Sequence, residues 1–100
     1  MEALTTHIKE NKLNNIQIHQ LLTLGAGKEW REVHESGQVR GNSFFTSGEN
    51  RPLIHAGKAD YTPIFLSDAS RYFSHNAVQL DAVITQVSPA DKYGFHTLGS

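Results

Sequence analysis

The 100-residue sequence has no cysteine, one methionine, one tryptophan and three prolines. Without cysteine the chain can build no disulfide framework, no thiolate nucleophile and no cysteine-ligated zinc or iron–sulfur centre. It also has no apolar run long enough to span a membrane, and residues 1–13 lack the apolar stretch of a signal peptide. These absences favour a domain of a reducing compartment, and we expect a cytoplasmic protein without membrane partners.

The sequence also lacks an excess of charge of either sign. Nine Lys and Arg face ten Asp and Glu, which gives a formal net charge of −1, and no basic run interrupts this balance. The charge balance therefore gives no electrostatic reason to expect nucleic acid or anionic lipid as a partner. With 38% hydrophobic residues, the chain can form one domain at most, and its core is thin for a fold that stands alone.

Helix-like and strand-like patterns alternate along the chain. The predicted helices are Glu2–Lys12, Lys28–Glu35, Glu49–Ala56 and a helix from Ser67 or Asp68 to Phe73, and the predicted strands are Ile16–Leu24, Val39–Ser47, Asp60–Phe65 and Leu80–Val87. Such alternation predicts an α/β fold, with a mostly parallel sheet and crossover helices. The turn Ser88–Asp91 leads to Phe95–Leu98, which predicts a C-terminal hairpin at the sheet edge.

Several residue groups could carry chemistry but do not match any site pattern well. The six histidines are never closer than 12 positions apart, so we expect structural or surface histidines and no metal site. Gly25-Ala-Gly27-Lys28 lies at a strand-to-helix turn but fails the dinucleotide and P-loop patterns, which favours a simple turn.

Carboxylates and aromatic residues also have ordinary interpretations. Glu29, Glu32 and Glu35 have the spacing of a solvated helix face. No Gly-x-Ser-x-Gly elbow supports a serine nucleophile. The aromatic residues lack interleaved basic residues and are expected to pack in the core; they are Phe44, Phe45, Tyr61, Phe65, Tyr72 and Phe73.

Polar residues at two predicted strand ends are more unusual. Asn42-Ser43-Phe44 lies in one strand, and Asp60-Tyr61-Thr62-Pro63 lies in the next. Pro63 lacks a backbone donor, so the second strand is expected to finish there. Ligands of open α/β sheets bind at the carboxyl ends of strands, so these residues could line a pocket.

Three motifs together resemble the N-terminal half of the acetyl-CoA hydrolase/transferase family, which includes 4-hydroxybutyrate, butyrate and acetate CoA-transferases. They are Asn42-Ser-Phe-Phe45, Gly57-Lys-Ala-Asp-Tyr-Thr-Pro-Ile-Phe65 and Asp81-Ala-Val-Ile-Thr-Gln-Val-Ser-Pro-Ala-Asp-Lys-Tyr-Gly94. Leu21–Gly25 matches the preceding family strand, and the resemblance extends from about Ala3 to Ser100. Thr97-Leu98-Gly99 replaces the usual Ser-Leu-Gly.

The resemblance implies an acyl-CoA:carboxylate CoA-transferase. In that family a glutamate attacks the thioester, forms an acyl anhydride and then a glutamyl-CoA thioester. The family's glutamate lies in the C-terminal half, so we expect no catalytic residue in this chain. None of its six glutamates matches that position: Glu2, Glu10, Glu29, Glu32, Glu35 and Glu49. Coenzyme A enters as part of a substrate, and no separate cofactor is expected.

The resemblance also implies substrate-binding residues and partners. The motif residues expected near the substrate cleft are Asn42, Ser43, Phe44, Tyr61, Thr62 and Pro63. Residues 1–100 would form a partial N-terminal CoA-transferase domain, completed by a C-terminal half and prone to homo-oligomerise or associate through its sheet. Two alternatives remain open: an acyl-CoA thioesterase, which differs only in using water as acceptor, and a non-catalytic remnant that binds a partner.

Overall fold

The computed structural model describes residues 1–23 and 27–99. The pattern of contacts between residues divides the chain into two compact units, Met1–Ala69 and Ser70–Ser100. Among the described residues, the helices all lack the length and apolar character needed to cross a bilayer.

The first unit contains a three-stranded parallel sheet in the order β1-β2-β3. The strands are β1 (Ile16–Gln20), β2 (Val39–Ser43) and β3 (Ala59–Tyr61), and the helices are α1 (Glu2–Glu10), α2 (Gly27–Glu35) and α3 (Arg51–His55). Helices α2 and α3 each connect one strand to its parallel neighbour, which confirms the predicted α/β fold with crossover helices. All three strands are shorter at their carboxyl ends than predicted.

Strand register assigns the side chains to two faces of the sheet. Ile16 lies beside Val39, and Gly41 lies between Ile18 and Ala59. Because successive side chains alternate between faces, these residues share one face. Val39 packs with Ile8 of α1 and Val33 of α2, so this is the helix-covered face. The other side, which we call the polar face, is formed by Gln17, His19, Arg40, Asn42 and Asp60.

The core of the first unit is small. Ile8, Val33 and Val39 are almost completely buried together, and Leu4, Ile16 and Ile18 pack against them while remaining partly exposed. A core of this size agrees with the low hydrophobic content of the sequence. Polar side chains are buried as well, among them Thr5, His34, Asn42, Ser43 and Asn50.

Two carboxylates of α2 bind α1. Thr6 donates its hydroxyl to Glu29 Oε2 at 2.9 Å, and Lys9 forms a salt bridge with Glu32 at 2.5 Å. The expectation of a merely solvated acidic face was wrong for Glu29 and Glu32, because α1 supplies donors opposite them. Glu35 is exposed as expected.

Helix ends follow the sequence signals. Pro52 lies in the first turn of α3, where its missing N–H costs nothing. Gly37 and Gly57 follow α2 and α3 with φ of +82° and +73°, the left-handed conformation that glycine adopts most easily. These signals explain why the helix positions were predicted well.

Arg40 connects β2 to β3 on the polar face. Its Nε and Nη2 donate to the two carboxylate oxygens of Asp60 at 2.8 and 2.7 Å, and its Nη1 donates to the Gly57 carbonyl at 2.9 Å. The pair keeps the pKa of the Asp60 carboxyl below its ordinary value, mainly through the hydrogen bonds from Arg40. This fork-to-fork contact spans the two strands in their observed register.

A short 3₁₀ turn, Leu66–Asp68, precedes α4 (Ala69–Ser74), close to the predicted helix. In the second unit, Tyr72 and Phe73 meet edge to face with ring centroids 5.3 Å apart. The predicted strand Leu80–Val87 is wrong for the described structure, because this segment pairs with no strand among the described residues.

The chain does reverse direction after this segment. The Ser88 amide donates to the Thr97 carbonyl, and Asp91 Oδ1 accepts the amides of Tyr93 and Phe95 at 2.8 and 3.0 Å. A turn therefore exists where the C-terminal hairpin was predicted, although its arms form no strands.

The expected core role of the aromatic residues was largely wrong. Phe44 is buried, whereas Phe45, Tyr61 and Phe65 are 55%, 46% and 78% exposed. Tyr61 is the last residue of β3, and Phe45 and Phe65 lie beyond the ends of β2 and β3. Tyr72 and Phe73 are half-buried.

Candidate functional site

The predicted site residues lie at the carboxyl ends of β2 and β3. Asn42 and Ser43 end β2, and Tyr61 ends β3. Backbone pairing continues one step beyond each strand, because the Phe44 amide donates to the Gln20 carbonyl at 3.0 Å and the Thr62 amide donates to the Ser43 carbonyl at 2.9 Å. The strand ends are therefore aligned, and Pro63 follows immediately.

The six residues do not share one face. Asn42 belongs to the polar face, and by alternation Phe44 and Thr62 follow it there. Ser43 and Tyr61 are register partners on the opposite side. Asn42, Ser43 and Phe44 are 6%, 1% and 6% exposed, whereas Tyr61 and Pro63 are exposed.

On the polar face, three side chains from three neighbouring segments form a hydrogen-bonded row. Thr62 Oγ1 donates to Asn42 Oδ1 at 2.7 Å, and Asn42 Nδ2 lies 3.2 Å from His19 Nδ1. We call this row the His19–Asn42–Thr62 chain. It crosses the sheet from β1 to the end of β3, in the order that the strand register requires.

The ring of His19 is held on two sides. It stacks on Phe44 with centroids 6.4 Å apart and an angle of 23° between the rings. Partial burial lowers its pKa below the ordinary value of 6.5, because the charged imidazolium loses solvation. At neutral pH the ring is therefore uncharged and can accept a hydrogen bond at one nitrogen.

A second polar cluster surrounds Ser43 on the helix-covered face. Ser43 Oγ accepts from Gln20 Nε2 and from Asn50 Nδ2, both at 3.0 Å. Asn50 also donates to the Phe45 carbonyl at 3.0 Å and accepts the Ser47 amide at 2.6 Å. These contacts of Asn50 hold the loop that follows β2, and the strand ends at Ser43.

The histidines and the glycine-containing turn Gly25–Lys28 were the other two candidates from the sequence. The described residues contain no group of three or more His, Cys, Asp or Glu that could hold a metal ion. Residues 24–26 of the glycine-containing turn lie outside the described part of the chain. The turn interpretation of Gly25–Lys28 stays a prediction.

Sequence reasoning missed three residues that support the strand ends: His19, Gln20 and Asn50. The alternation of side chains along β1 does place His19 on the face opposite to Ile16 and Ile18, and this was the sequence signal that could have identified it. Its partner could not be found from the sequence, because the pairing of His19 with Asn42 depends on strand register. Asn50 lies in a predicted helix, where a contact back to Ser43 carries no periodic signal.

The parallel sheet with its crossover helices is an open α/β fold. In folds of this type, ligands bind outside the carboxyl ends of the strands. A family model described as the acetyl-CoA hydrolase/transferase N-terminal domain matches residues 1–100. The chain belongs to this family, as its motifs predicted.

Two curated relatives agree with this assignment. A succinyl-CoA:acetate/propanoyl-CoA:succinate CoA transferase of Fasciola hepatica is 36% identical over 99 residues, which cover 99% of this chain and 20% of the relative. A 4-hydroxybutyrate coenzyme A transferase of Clostridium kluyveri is 32% identical over 98 residues, which cover 96% of this chain and 23% of the relative. The chain therefore spans about a fifth of the length of these relatives.

Proposed function

We propose that this chain is part of an acyl-CoA:carboxylate CoA-transferase, in which CoA moves between an acyl-CoA and a short carboxylate such as acetate or 4-hydroxybutyrate. The observation that carries this proposal is the match of the family model to residues 1–100, together with relatives named as CoA transferases. The aligned polar ends of β2 and β3 support the proposal that substrate binds at this edge of the sheet.

The proposed chemistry uses a glutamate outside residues 1–100. Its carboxylate attacks the acyl-CoA carbonyl and releases CoA thiolate, which leaves an acyl anhydride on the enzyme. The thiolate then attacks the glutamyl carbonyl of the anhydride, releases the acyl group as carboxylate and forms the glutamyl-CoA thioester. A second carboxylate reverses these two steps, and no separate cofactor takes part.

The six predicted residues have different proposed roles. Exposed Tyr61 and Pro63, with half-buried Thr62, form the surface that contacts substrate. Asn42, Ser43 and Phe44 are almost completely buried, so they support this surface from below. We place the complete protein in the cytoplasm, as a homo-oligomer.

The test uses the polypeptide that the complete reading frame encodes. It is incubated with acetyl-CoA and a labelled short carboxylate, and the expected result is labelled acyl-CoA together with free acetate. Borohydride added during turnover should reduce a glutamyl thioester, and peptide mapping should place that glutamate outside residues 1–100.

Each other result opposes the proposal. Hydrolysis of acetyl-CoA without exchange into the labelled carboxylate would identify a thioesterase. Absence of both reactions with a folded polypeptide would identify a non-catalytic remnant. A borohydride-labelled glutamate within residues 1–100 would overturn the proposed division of the site.

A further inference from the structure

The direction of the hydrogen bonds in the His19–Asn42–Thr62 chain follows from the groups that form it. Thr62 donates its hydroxyl proton to Asn42 Oδ1, so the amide nitrogen of Asn42 faces His19. An amide NH₂ can only donate, so His19 Nδ1 must accept. A neutral imidazole that accepts at Nδ1 carries its proton at Nε2. Each proton in the chain therefore points from the end of β3 towards β1.

This direction determines what Thr62 can offer to a ligand. Its only hydroxyl proton is used by Asn42, so the lone pairs of Thr62 Oγ1 are what remains for another partner. Thr62 is half-buried and follows the end of β3, beside exposed Tyr61 and Pro63. A group that binds there must bring an N–H or O–H of its own.

We propose that His19 is a positioning residue, which holds the Asn42 amide so that Thr62 Oγ1 acts as a hydrogen-bond acceptor for an N–H or O–H of the bound substrate. The inference rests on the proposed function for the presence of an acyl-CoA substrate, whose thiol arm carries amide N–H groups. His19 does not touch the reacting atoms. It acts through Asn42, while its ring is held by Phe44.

The opposite amide orientation explains why His19 matters. If Asn42 turned its oxygen towards His19, its nitrogen would donate to Thr62, and the Thr62 hydroxyl would be left as a donor. Neutral His19 with its proton at Nε2 stabilises the first arrangement because Nδ1 cannot donate. The lowered pKa of His19 agrees with this neutral state.

The activity test compares variants in the polypeptide of the complete reading frame. His19→Phe keeps a ring against Phe44 but removes the acceptor, and Thr62→Val removes the hydroxyl at nearly constant shape. Each is expected to lower kcat/KM for acyl-CoA about tenfold, the effect of one lost hydrogen bond. The double variant should also lose about tenfold, because both changes break the same chain. His19→Asn restores an acceptor near the position of Nδ1 and should recover at least half of the loss.

Other outcomes overturn the inference. A hundredfold loss in the double variant would mean that the two residues act independently, and wild-type kcat/KM in a folded His19→Phe variant would mean that the acceptor has no role. His55 is an exposed histidine that takes no part in the His19–Asn42–Thr62 chain. His55→Asn is therefore the matched control and should retain wild-type kcat/KM.

A second measurement does not depend on activity or on the folding of the Phe variant. Nitrogen-15 NMR of histidine-labelled wild-type protein, with His19 assigned from the His19→Asn spectrum, identifies the protonated ring nitrogen. A protonated Nε2 and bare Nδ1 support the chain, and a protonated Nδ1 overturns it. Absent CoA exchange with a bare Nδ1 would refute the proposed function while leaving the hydrogen-bond direction intact.

Discussion

The imidazole of His34 occupies the space in which a side chain at Gly41 would begin. A Cβ atom at position 41 would lie 2.6 Å from His34 Nε2. The ring cannot easily withdraw, because His34 Nδ1 donates to the Trp30 carbonyl at 2.8 Å and the His34 and Trp30 rings meet at 4.4 Å. Helix α2 and strand β2 therefore approach each other through a histidine on a glycine.

Gly41→Ala is expected to destabilise the fold by about 1–3 kcal/mol, the usual cost of overpacking a buried contact. The shift in the midpoint of thermal unfolding of the complete polypeptide measures it. Gly48→Ala is the control, because no atom lies within 4 Å of a Cβ at that position. In the Gly41→Ala/His34→Ala double variant the clash is absent, so its loss should be smaller than the sum of the single losses. An additive result would contradict the contact.

The buried ring of His34 should make stability fall in mild acid. Burial lowers the pKa of His34 below its ordinary value of 6.5, and the hydrogen bond to Trp30 offsets only part of this shift. Above about pH 6.5 the ring is neutral in both states. As the pH falls below this value, the unfolded chain takes up the proton more readily than the folded chain, so the free energy of unfolding decreases until the folded pKa is passed.

His34→Gln should reduce this pH dependence, measured by denaturant unfolding between pH 5 and 7. His19 has a pKa shifted in the same direction, so some dependence should persist in the single variant and decrease further in the His19→Gln/His34→Gln variant. An unchanged slope after both replacements would refute the assignment.

Asn50 should be the most sensitive residue of the loop after β2. It is 6% exposed and binds Ser43, Phe45 and Ser47 through one amide group. Asn50→Ala leaves these buried groups without their partner, and the expected loss in the free energy of unfolding is about 1–3 kcal/mol. Asn50→Asp should not recover it, because a carboxylate cannot donate to the Phe45 carbonyl.

The control for the Asn50 variants is Asn14→Ala, which changes an exposed asparagine between α1 and β1. Its effect should stay within about 0.5 kcal/mol, as is usual for surface substitutions. Equal losses at positions 14 and 50 would mean that the Asn50 contacts contribute nothing specific.

The 100-residue chain alone should associate in solution. In its second unit Val83, Ile84, Phe95 and Leu98 are 76%, 75%, 71% and 69% exposed. Large apolar side chains exposed in this number favour association. Sedimentation velocity should show a mass that grows with concentration, and Val83→Lys/Ile84→Lys should lower it. A dilute monomer that unfolds in one cooperative thermal transition would contradict this prediction.

Local signals predicted the order of the elements but not the strand lengths. The run Phe44-Phe45 looks like a strand interior, yet β2 ends at Ser43. The reason is that Asn50 takes the Phe45 carbonyl and turns the chain. Likewise, Leu80–Val87 has strong strand character, but a strand also needs a neighbour, which the described residues do not supply.

The candidate site was predicted in part. Motif residues at the ends of β2 and β3 do lie beside each other, and Thr62 binds Asn42 directly. The division between two faces needed the register, since alternation assigns sides only within one strand. His19 needed it too, because the residue opposite Asn42 is separated from it by 23 positions in sequence.

The contacts on the polar face also protect the sheet against misalignment during folding. A shift of β2 by one residue would exchange the sides of all its side chains. Arg40 would then leave Asp60 and point its guanidinium into the apolar contact between Val33 and Ile8, while Val39 would be turned towards water. A charge buried without a partner costs several kcal/mol. Arg40 therefore stabilises the observed register of β2 and also disfavours the misaligned forms.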